Sequence, residues 1–159
     1  MSGAGAPTPP NRVVDGTGLK VTIVAGRWHD VIASGLLAGA HRVLDSSGAE
    51  VSEVRVPGSF ELPLACAAAL QAGADAVVAL GVIIRGGTPH FDFVSNAATD
   101  GLTRVALDSG KPIGFGVLTL DNEQQGIDRA GLPGSHEDKG AEAATAALEM
   151  AVLLRGLRG

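Results

Sequence analysis

The sequence predicts an α/β fold in which four parallel strands form a sheet that is covered by helices on both faces. Short runs rich in Val and Ile alternate with longer segments whose apolar residues recur at helical spacing. One run, residues 76–84 (AVVALGVII), carries no polar side chain, as expected for a strand buried on both sides. The chain has 159 residues, 45% of them hydrophobic, which is enough for one domain with a sizeable core.

The four predicted strands end at turn-forming residues or at a change of pattern. Residues 20–26 (KVTIVAG) end at a glycine, and residues 51–56 end before a Pro-Gly pair. Residues 76–84 form the third strand and residues 113–119 the fourth. Because the third run is the most apolar, we expect it at the centre of the sheet.

Four segments carry one apolar face at helical spacing, which predicts helices that pack on the sheet. Ser135 is expected to cap the last of these helices, with Glu137 and Asp138 near its positive end. The four faces are, in chain order, Ile32, Leu36, Ala40, Val43 and Leu44; Leu64, Ala65, Ala68, Ala69 and Ala72; Phe91, Val94, Ala98, Leu102 and Val105; and Ala144, Leu148, Ala151 and Leu154.

A strand followed by a helix, repeated four times with right-handed crossovers, gives a flavodoxin-like three-layer αβα sandwich. We expect this domain to span residues 19–159, after an extended, flexible tail at residues 1–18 that is rich in Gly, Pro and Ala. Ligands of such sheets bind beyond the C-terminal ends of the strands. The functional residues are therefore expected just after the strands.

Composition excludes several classes of function. The net charge is -5 and no basic stripe is present, so nucleic acid is not expected as a partner. Cys66 is the only cysteine, which excludes disulfides within the chain and cysteine-rich zinc sites, and its alanine-rich surroundings predict a buried, inert thiol. No signal peptide or membrane-spanning apolar stretch is recognisable, so a cytoplasmic protein is expected.

Aromatic residues are few and are placed at the expected ligand edge. The chain has one tryptophan and four phenylalanines, of which Trp28, Phe60, Phe91 and Phe93 follow predicted strands and Phe115 lies within one. Rings beside a binding edge favour a cleft for a flat heteroaromatic ligand, with Trp28 and Phe60 as the main candidates. Phe91 and Phe93, at the start of a helix, are expected to belong to the core.

A glycine-rich turn follows the third strand. Residues 81–88 (GVIIRGGT) have the glycine spacing of a P-loop, but Gly87 stands where that motif needs lysine. Backbone N–H groups of the turn and the hydroxyl of Thr88 are suited to a phosphate, whereas an ordinary strand-to-helix turn explains the glycines equally well. Both interpretations remain open on this evidence.

His90 directly follows this turn, where an imidazole beside a bound phosphate is suited to general acid-base chemistry. His41 and His136 have no such neighbours and are expected to be surface or capping residues. A metal site is not expected, because His90 and Asp92 diverge at a helix start and no matching cluster of ligands occurs elsewhere.

Three further charged residues are candidates with simpler explanations. Glu61 precedes Pro63 at the start of the second helix, where a carboxylate is stabilised by the helix dipole. Arg129 and Lys139 flank a polar loop after the fourth strand and are of the kind that pairs with phosphate, although solvated surface cations are more common.

Several segments together resemble the signature segments of the lumazine synthase family. The resemblance extends from about Leu19 to the C-terminus and leaves only the tail uncovered. It is carried by residues 58–63 (GSFELP), 81–94 (GVIIRGGTPHFDFV), 116–119 (GVLT), 128–131 (DRAG) and 139–144 (KGAEAA).

The resemblance implies a role for each matching residue. It implies that Trp28 stacks on a pyrimidinedione, that His90 transfers protons, and that no organic cofactor or metal is needed. The implied lining of the pyrimidine and ribityl site consists of Ser59, Phe60, Glu61, Val82, Ile83, Ile84 and Phe115, the last from a neighbouring subunit. The implied phosphate site consists of Gly87, Thr88 and Arg129, with Lys139 and Glu142 in support.

The family resemblance also implies a homopentamer with active sites at subunit interfaces, and riboflavin synthase as a further partner. Residues 132–138 (LPGSHED) are longer than the Gly-rich turn of capsid-forming members and contain proline, which favours a free pentamer or decamer. Two alternatives are a non-catalytic flavin- or lumazine-binding module and a structural shell protein. Only an enzyme needs His90 together with a phosphate pocket, and the long loop disfavours a shell.

Overall fold

Strands and helices alternate along the chain in the computed structural model, which describes residues 4–7 and 13–159. A single 3-10 turn, Ser59–Glu61, precedes the second helix. The elements are β1 (Lys20–Gly26), α1 (Asp30–Ser47), β2 (Glu50–Val56), α2 (Leu62–Gln71), β3 (Ala76–Ile84), α3 (His90–Ser109), β4 (Ile113–Leu120), α4 (Glu123–Ile127) and α5 (Lys139–Leu157).

The sheet has the strand order β2-β1-β3-β4, and every neighbouring pair is parallel. The central position of β3 is confirmed: it pairs with β1 and with β4, and its first eight residues are buried. With helices on both faces, the structure confirms the predicted flavodoxin-like sandwich. Since all strands run the same way, their carboxyl ends meet at one edge of the sheet.

Alternate residues of each strand enter one of two hydrophobic cores. Ile23 faces the core formed with α1 and α5, whereas its neighbour Val24 faces the core formed with α2 and α3. The predicted burial of Cys66 is confirmed, because it is fully buried in the second core. Desolvation raises the pKa of this thiol to about 12, so it stays protonated and inert at neutral pH.

The start of the last helix differs from the expectation. Ser135 does not cap α5; its hydroxyl donates to the carbonyl of Ile127 and accepts from the N–H of Leu132 at 2.8 Å. The cap is Asp138, whose carboxylate accepts from the N–H of Ala141 at 3.0 Å and also pairs with Arg42. Asp138 caps the helix because it lies directly before the first helical residue, whereas the hydroxyl of Ser135 forms hydrogen bonds within the preceding loop.

The division of the chain at residue 18 stays a prediction. Part of the expected tail, residues 1–3 and 8–12, lies outside the described residues. Within residues 13–18, Gly16 is buried and donates to the carbonyl of Ser47 at 2.8 Å, and Thr17 accepts from Arg155. Among the described residues, no helix is both long and apolar enough to cross a membrane.

His41 links α1 to the edge strand β2 and makes folding stability depend on pH. Its Nε2 lies 2.7 Å from a carboxylate oxygen of Glu53, and Asp45 lies 3.7 Å from Nδ1. The hydrogen bond to Glu53 is the main cause that raises the pKa of His41 above its ordinary value of 6.5. A raised pKa in the folded state means that the stabilisation is complete below that ordinary value and is lost as pH rises through the raised pKa.

We therefore expect the free energy of unfolding to fall by up to about 1 kcal/mol as pH rises through this window, a small effect because the ion pair is partly exposed. The difference between the wild type and His41→Gln in chemical denaturation, measured across the same pH range, isolates this histidine from the others. Glu53→Gln should flatten the same part of the curve. Equal losses of stability in the wild type and both variants would contradict this assignment.

Candidate active site

A cleft of about 320 Å³ opens at the edge of the sheet where the carboxyl ends of β1, β2 and β3 meet. The position agrees with the expectation for a parallel sheet, because the loops that follow the strands diverge there. The lining consists of Trp28, His29, Gly58, Ser59, Phe60, Glu61, Val82, Ile83, Ile84, Gly86, Thr88, His90, Phe91 and Val94.

Two aromatic rings stand open at this cleft. Trp28 is 67% exposed and Phe60 is 64% exposed, so neither ring contributes to the core. Gly58 makes the arrangement sterically feasible, since a Cβ at this position would lie 3.2 Å from the indole of Trp28 and 3.4 Å from Glu61. Open ring faces beside a carboxylate suit a flat, polar heterocycle.

The wall of the cleft is the end of β3. Val82 and Ile83 are buried and Ile84 is half-buried, and together they present an apolar surface. Ser59 is 7% exposed and packs against this strand; a Cβ on Gly81 would lie 2.5 Å from its hydroxyl oxygen. The absence of a side chain at Gly81 therefore allows the hydroxyl of Ser59 to lie close to β3. Any side chain at position 81 would displace that hydroxyl.

The glycine-rich turn forms the other side of the cleft and leads directly into α3. Gly86 and Thr88 line the cleft, Gly87 is exposed between them, and a Cβ on either glycine would meet nothing within 4 Å. The hydroxyl of Thr88 accepts from the N–H of His90 at 3.4 Å. Unobstructed amides at the start of the 20-residue helix α3 favour an anion at this position.

His90 is the first residue of α3 and lines the cleft on the same side as Thr88. Its exposed ring is accessible to a bound ligand. Among the described residues, no group of three or more His, Cys, Asp and Glu side chains has the arrangement of a metal site. A proton-transfer role for His90 is therefore compatible with its position.

The two phenylalanines at the start of α3 behave differently. Phe91 is half-buried, packs against the core of α2 and α3, and lines the cleft. The guanidinium of Arg85 lies over its ring at 4.2 Å from the centroid. The expectation that Phe93 belongs to the core is wrong, since it is 73% exposed.

His29 lines the cleft but was not predicted as a site residue. It is the one non-glycine residue with positive φ among the described residues, and its ring lies 6.3 Å from that of Trp28. A left-handed backbone conformation is unusual for histidine and is often found at functional sites. The sequence gives no signal for this conformation. The place of His29 directly after Trp28 is the signal that could have identified it as a site residue.

Five predicted site residues are absent from the lining of this cleft: Gly87, which stands between two lining residues, and Phe115, Arg129, Lys139 and Glu142. Phe115 lies on the edge strand β4 and is 48% exposed. Its neighbours Gly114 and Gly116 face α5, where a Cβ on Gly114 would lie 2.1 Å from the carbonyl oxygen of Ala143. Phe115 therefore faces the other side of the sheet.

The cations among these residues are held in a network at the loop before α5. Arg129 lies 3.6 Å from a carboxylate oxygen of Glu137 and donates to the carbonyl of Gln125 at 2.9 Å. Lys139 lies 2.8 Å from Glu142 and 3.5 Å from Glu137. One chain thus places the aromatic cleft and this cationic network at separate positions.

Comparisons with known proteins agree with the sequence resemblance. The family model described as 6,7-dimethyl-8-ribityllumazine synthase matches residues 18–155. A 6,7-dimethyl-8-ribityllumazine synthase from Leifsonia xyli subsp. xyli is 74% identical over the full length of both chains. One from Clavibacter michiganensis subsp. michiganensis is 70% identical over all of this chain and 99% of its own.

The similarity to one solved structure is weak. A GDP-L-fucose synthetase from Naegleria fowleri aligns with a TM-score of 0.40 at 10% identity. The alignment covers 94% of this chain and 48% of that protein, so the chain spans about half its length.

Proposed function

The chain belongs to the 6,7-dimethyl-8-ribityllumazine synthase family, and on this basis we propose how its residues carry out the family reaction. The enzyme condenses 5-amino-6-(D-ribitylamino)uracil with 3,4-dihydroxy-2-butanone 4-phosphate to 6,7-dimethyl-8-ribityllumazine in riboflavin biosynthesis. A non-catalytic binding or shell protein is not favoured, because relatives up to 74% identical are named as synthases.

The pyrimidinedione is proposed to stack on Trp28, with Phe60 at the other side of the opening. The open faces of these two rings at the end of the sheet are the observation that carries this proposal. The hydroxyl of Ser59 and the carboxylate of Glu61, which line the same cleft, would bond the polar groups of the ring and the ribityl chain. Residues 82–84 would form the apolar wall behind it.

The phosphate is proposed to bind at Gly87 and Thr88, beside His90. The 5-amino group attacks the ketone carbon and the carbonyl oxygen leaves as water, which forms an imine; His90 moves the protons of this step. A proton then leaves C3 as the C4–O bond to phosphate breaks, and the amides and cations stabilise the leaving dianion. The resulting enol takes up a proton at C4 and becomes a ketone at C3. The ribityl-bearing nitrogen attacks the resulting carbonyl carbon, and loss of a second water closes the ring.

These bond changes are an imine formation, an elimination and a cyclisation. None transfers electrons to an external acceptor, so the chemistry requires no redox cofactor. Much of the acceleration is expected from holding two substrates in reacting geometry. The protein contributes the cleft, the anion-binding turn and one proton-transfer group.

We propose that a neighbouring subunit completes the site in a homopentamer. Phe115 and Arg129 are absent from the lining of their own cleft, and Phe115 exposes an aromatic ring on an edge strand. A head-to-tail interface repeated around a ring would bring these residues to the next cleft. Lys139 and Glu142 would support the phosphate site in the same way. A free pentamer or decamer, a cytoplasmic location and riboflavin synthase as a partner belong to this proposal.

Mixed oligomers test the division of the site between subunits. We expect His90→Ala and Arg129→Ala each to lower activity, the second by about tenfold because a charged hydrogen bond to phosphate is lost. Refolding an equal mixture of the two variants should restore about a quarter of the wild-type activity, since one interface in four pairs an intact cleft with an intact arginine. Product absorbance, corrected for the spontaneous reaction, measures this recovery.

A matched control mixes His90→Ala with Phe60→Ala. Both residues lie in the same cleft, so every site of that mixture has one defective cleft and no recovery is expected. Activity of the first mixture equal to the mean of its two parents would show that His90 and Arg129 act within one subunit. Size-exclusion chromatography with light scattering on the same samples gives the number of subunits.

A further inference from the structure

We infer that Arg85 is a positioning residue that holds the glycine-rich turn and the first turn of α3 in place for catalysis. The inference rests on the proposed function of that turn as the phosphate site beside His90. It assigns to Arg85 no contact with substrate. The inference is supported by the contacts that the Arg85 side chain makes on both sides of the turn.

Arg85 directly follows β3 and contacts two neighbouring segments, the end of β4 and the start of α3. Its backbone N–H donates to the carbonyl of Leu120 at 2.8 Å, and its Nε donates to Asp121 at 3.0 Å, which ties it to the end of β4. Across the turn, it lies 3.7 Å from the carboxylate of Asp92 and over the ring of Phe91. One guanidinium therefore connects the end of β4 with the start of α3.

The turn between the end of β3 and the start of α3 has no side chains at residues 86 and 87 that could hold its conformation. Gly86 and Gly87 are exposed and have no side chains, and a Cβ on either would meet nothing within 4 Å. Paired glycines give a segment many accessible conformations in the absence of other constraints. Fixing its two ends through Arg85 reduces that freedom, and thus presents the amides of the turn and the ring of His90 in one geometry.

A direct role of Arg85 in binding phosphate fits the structure less well. The guanidinium is already matched by two carboxylates and an aromatic ring, and Arg85 is absent from the residues that line the cleft. Its planar group serves two acceptors and a ring face at once, which a lysine ammonium does not reproduce. Lysine at this position is therefore expected to keep the charge and to lose the positioning.

Kinetics with the two substrates separate the possible roles. Arg85→Met is expected to lower kcat/KM for the butanone phosphate about tenfold. The KM for the pyrimidine should change by less than about twofold, because Trp28 and Phe60 lie on other loops. Binding of the pyrimidine, followed by fluorescence of Trp28, the chain's only tryptophan, should be unchanged as well. Arg85→Lys should behave like Arg85→Met.

Arg104→Met is the matched control, since Arg104 also lies on the α3 side of the molecule and pairs with an aspartate, Asp108, at 3.3 Å on the exposed helix surface. It should leave both kinetic constants at wild-type values. Thermal unfolding of all variants, measured at one protomer concentration, checks that folding is intact.

The inference would be overturned by equal kinetics of Arg85→Met and Arg104→Met, or by a rise in KM of the same size for both substrates. Recovery of wild-type kinetics in Arg85→Lys would also overturn it, because the charge alone would then suffice. Failure of the proposed function is a separate outcome, recognised by the absence of an enzyme-dependent rate in the wild type before any variant is compared.

Discussion

Replacing His90 with alanine is expected to lower kcat on the order of 100-fold while leaving a measurable enzyme-dependent rate. The ring lines the cleft beside Thr88, where the proposed imine formation needs protons to be moved. A residual rate is expected because holding the two substrates together accelerates the reaction independently of proton transfer. Steady-state kinetics, followed by product absorbance and corrected for the spontaneous reaction, measure the loss of kcat and the residual rate.

His41→Gln is the control for this variant, since His41 lies outside the cleft and pairs with Glu53 on the edge strand. Its kcat should equal that of the wild type. A change of less than about twofold in His90→Ala would remove the proton-transfer role from His90. Complete loss of turnover with intact pyrimidine binding would instead assign His90 a more central covalent or acid-base role.

The sheet could be predicted because its signal is local. Residues 76–84 carry no polar side chain, and such a run is stable only between two covering layers, which made it the central strand. The same reasoning placed Trp28 and Phe60 after strands and so at the ligand edge, where the structure has them. In both cases, the position of a residue within one element determines its place in the fold.

Other features depend on segments that are distant in sequence. Ser135 and Asp138 both have capping side chains, and the choice between them follows from how the loop folds onto Ile127 and Arg42. The separation of Arg129 from the cleft of its own chain is of the same kind. The exposure of Phe93 is a local effect, because Phe93 lies off the apolar face that Phe91 and Val94 define. The left-handed conformation of His29 is not signalled by the sequence around it.

Gly140→Ala is expected to destabilise the fold by about 3 kcal/mol, at the upper end of the range for overpacked sites. Gly140 lies in the first turn of α5, where that helix crosses α1. A Cβ there would lie 2.0 Å from the carbonyl oxygen of Leu36 and 2.7 Å from its carbonyl carbon. Because these are backbone atoms of α1 at the buried residue Leu36, they have no rotamer by which to give way, and the two helices must move apart.

The movement should also reach the proposed site, because Lys139 directly precedes Gly140 and Asp138 caps the same turn. Gly156→Ala is the matched control on the same helix, since a Cβ there would meet nothing within 4 Å. That change should leave stability unchanged or raise it by about 0.5 to 1 kcal/mol, as replacing a helical glycine usually does. Denaturant unfolding at one protomer concentration compares the two variants. Similar stability for both would mean that the contact between α1 and α5 relaxes at little cost, and the close crossing would then not account for glycine at position 140.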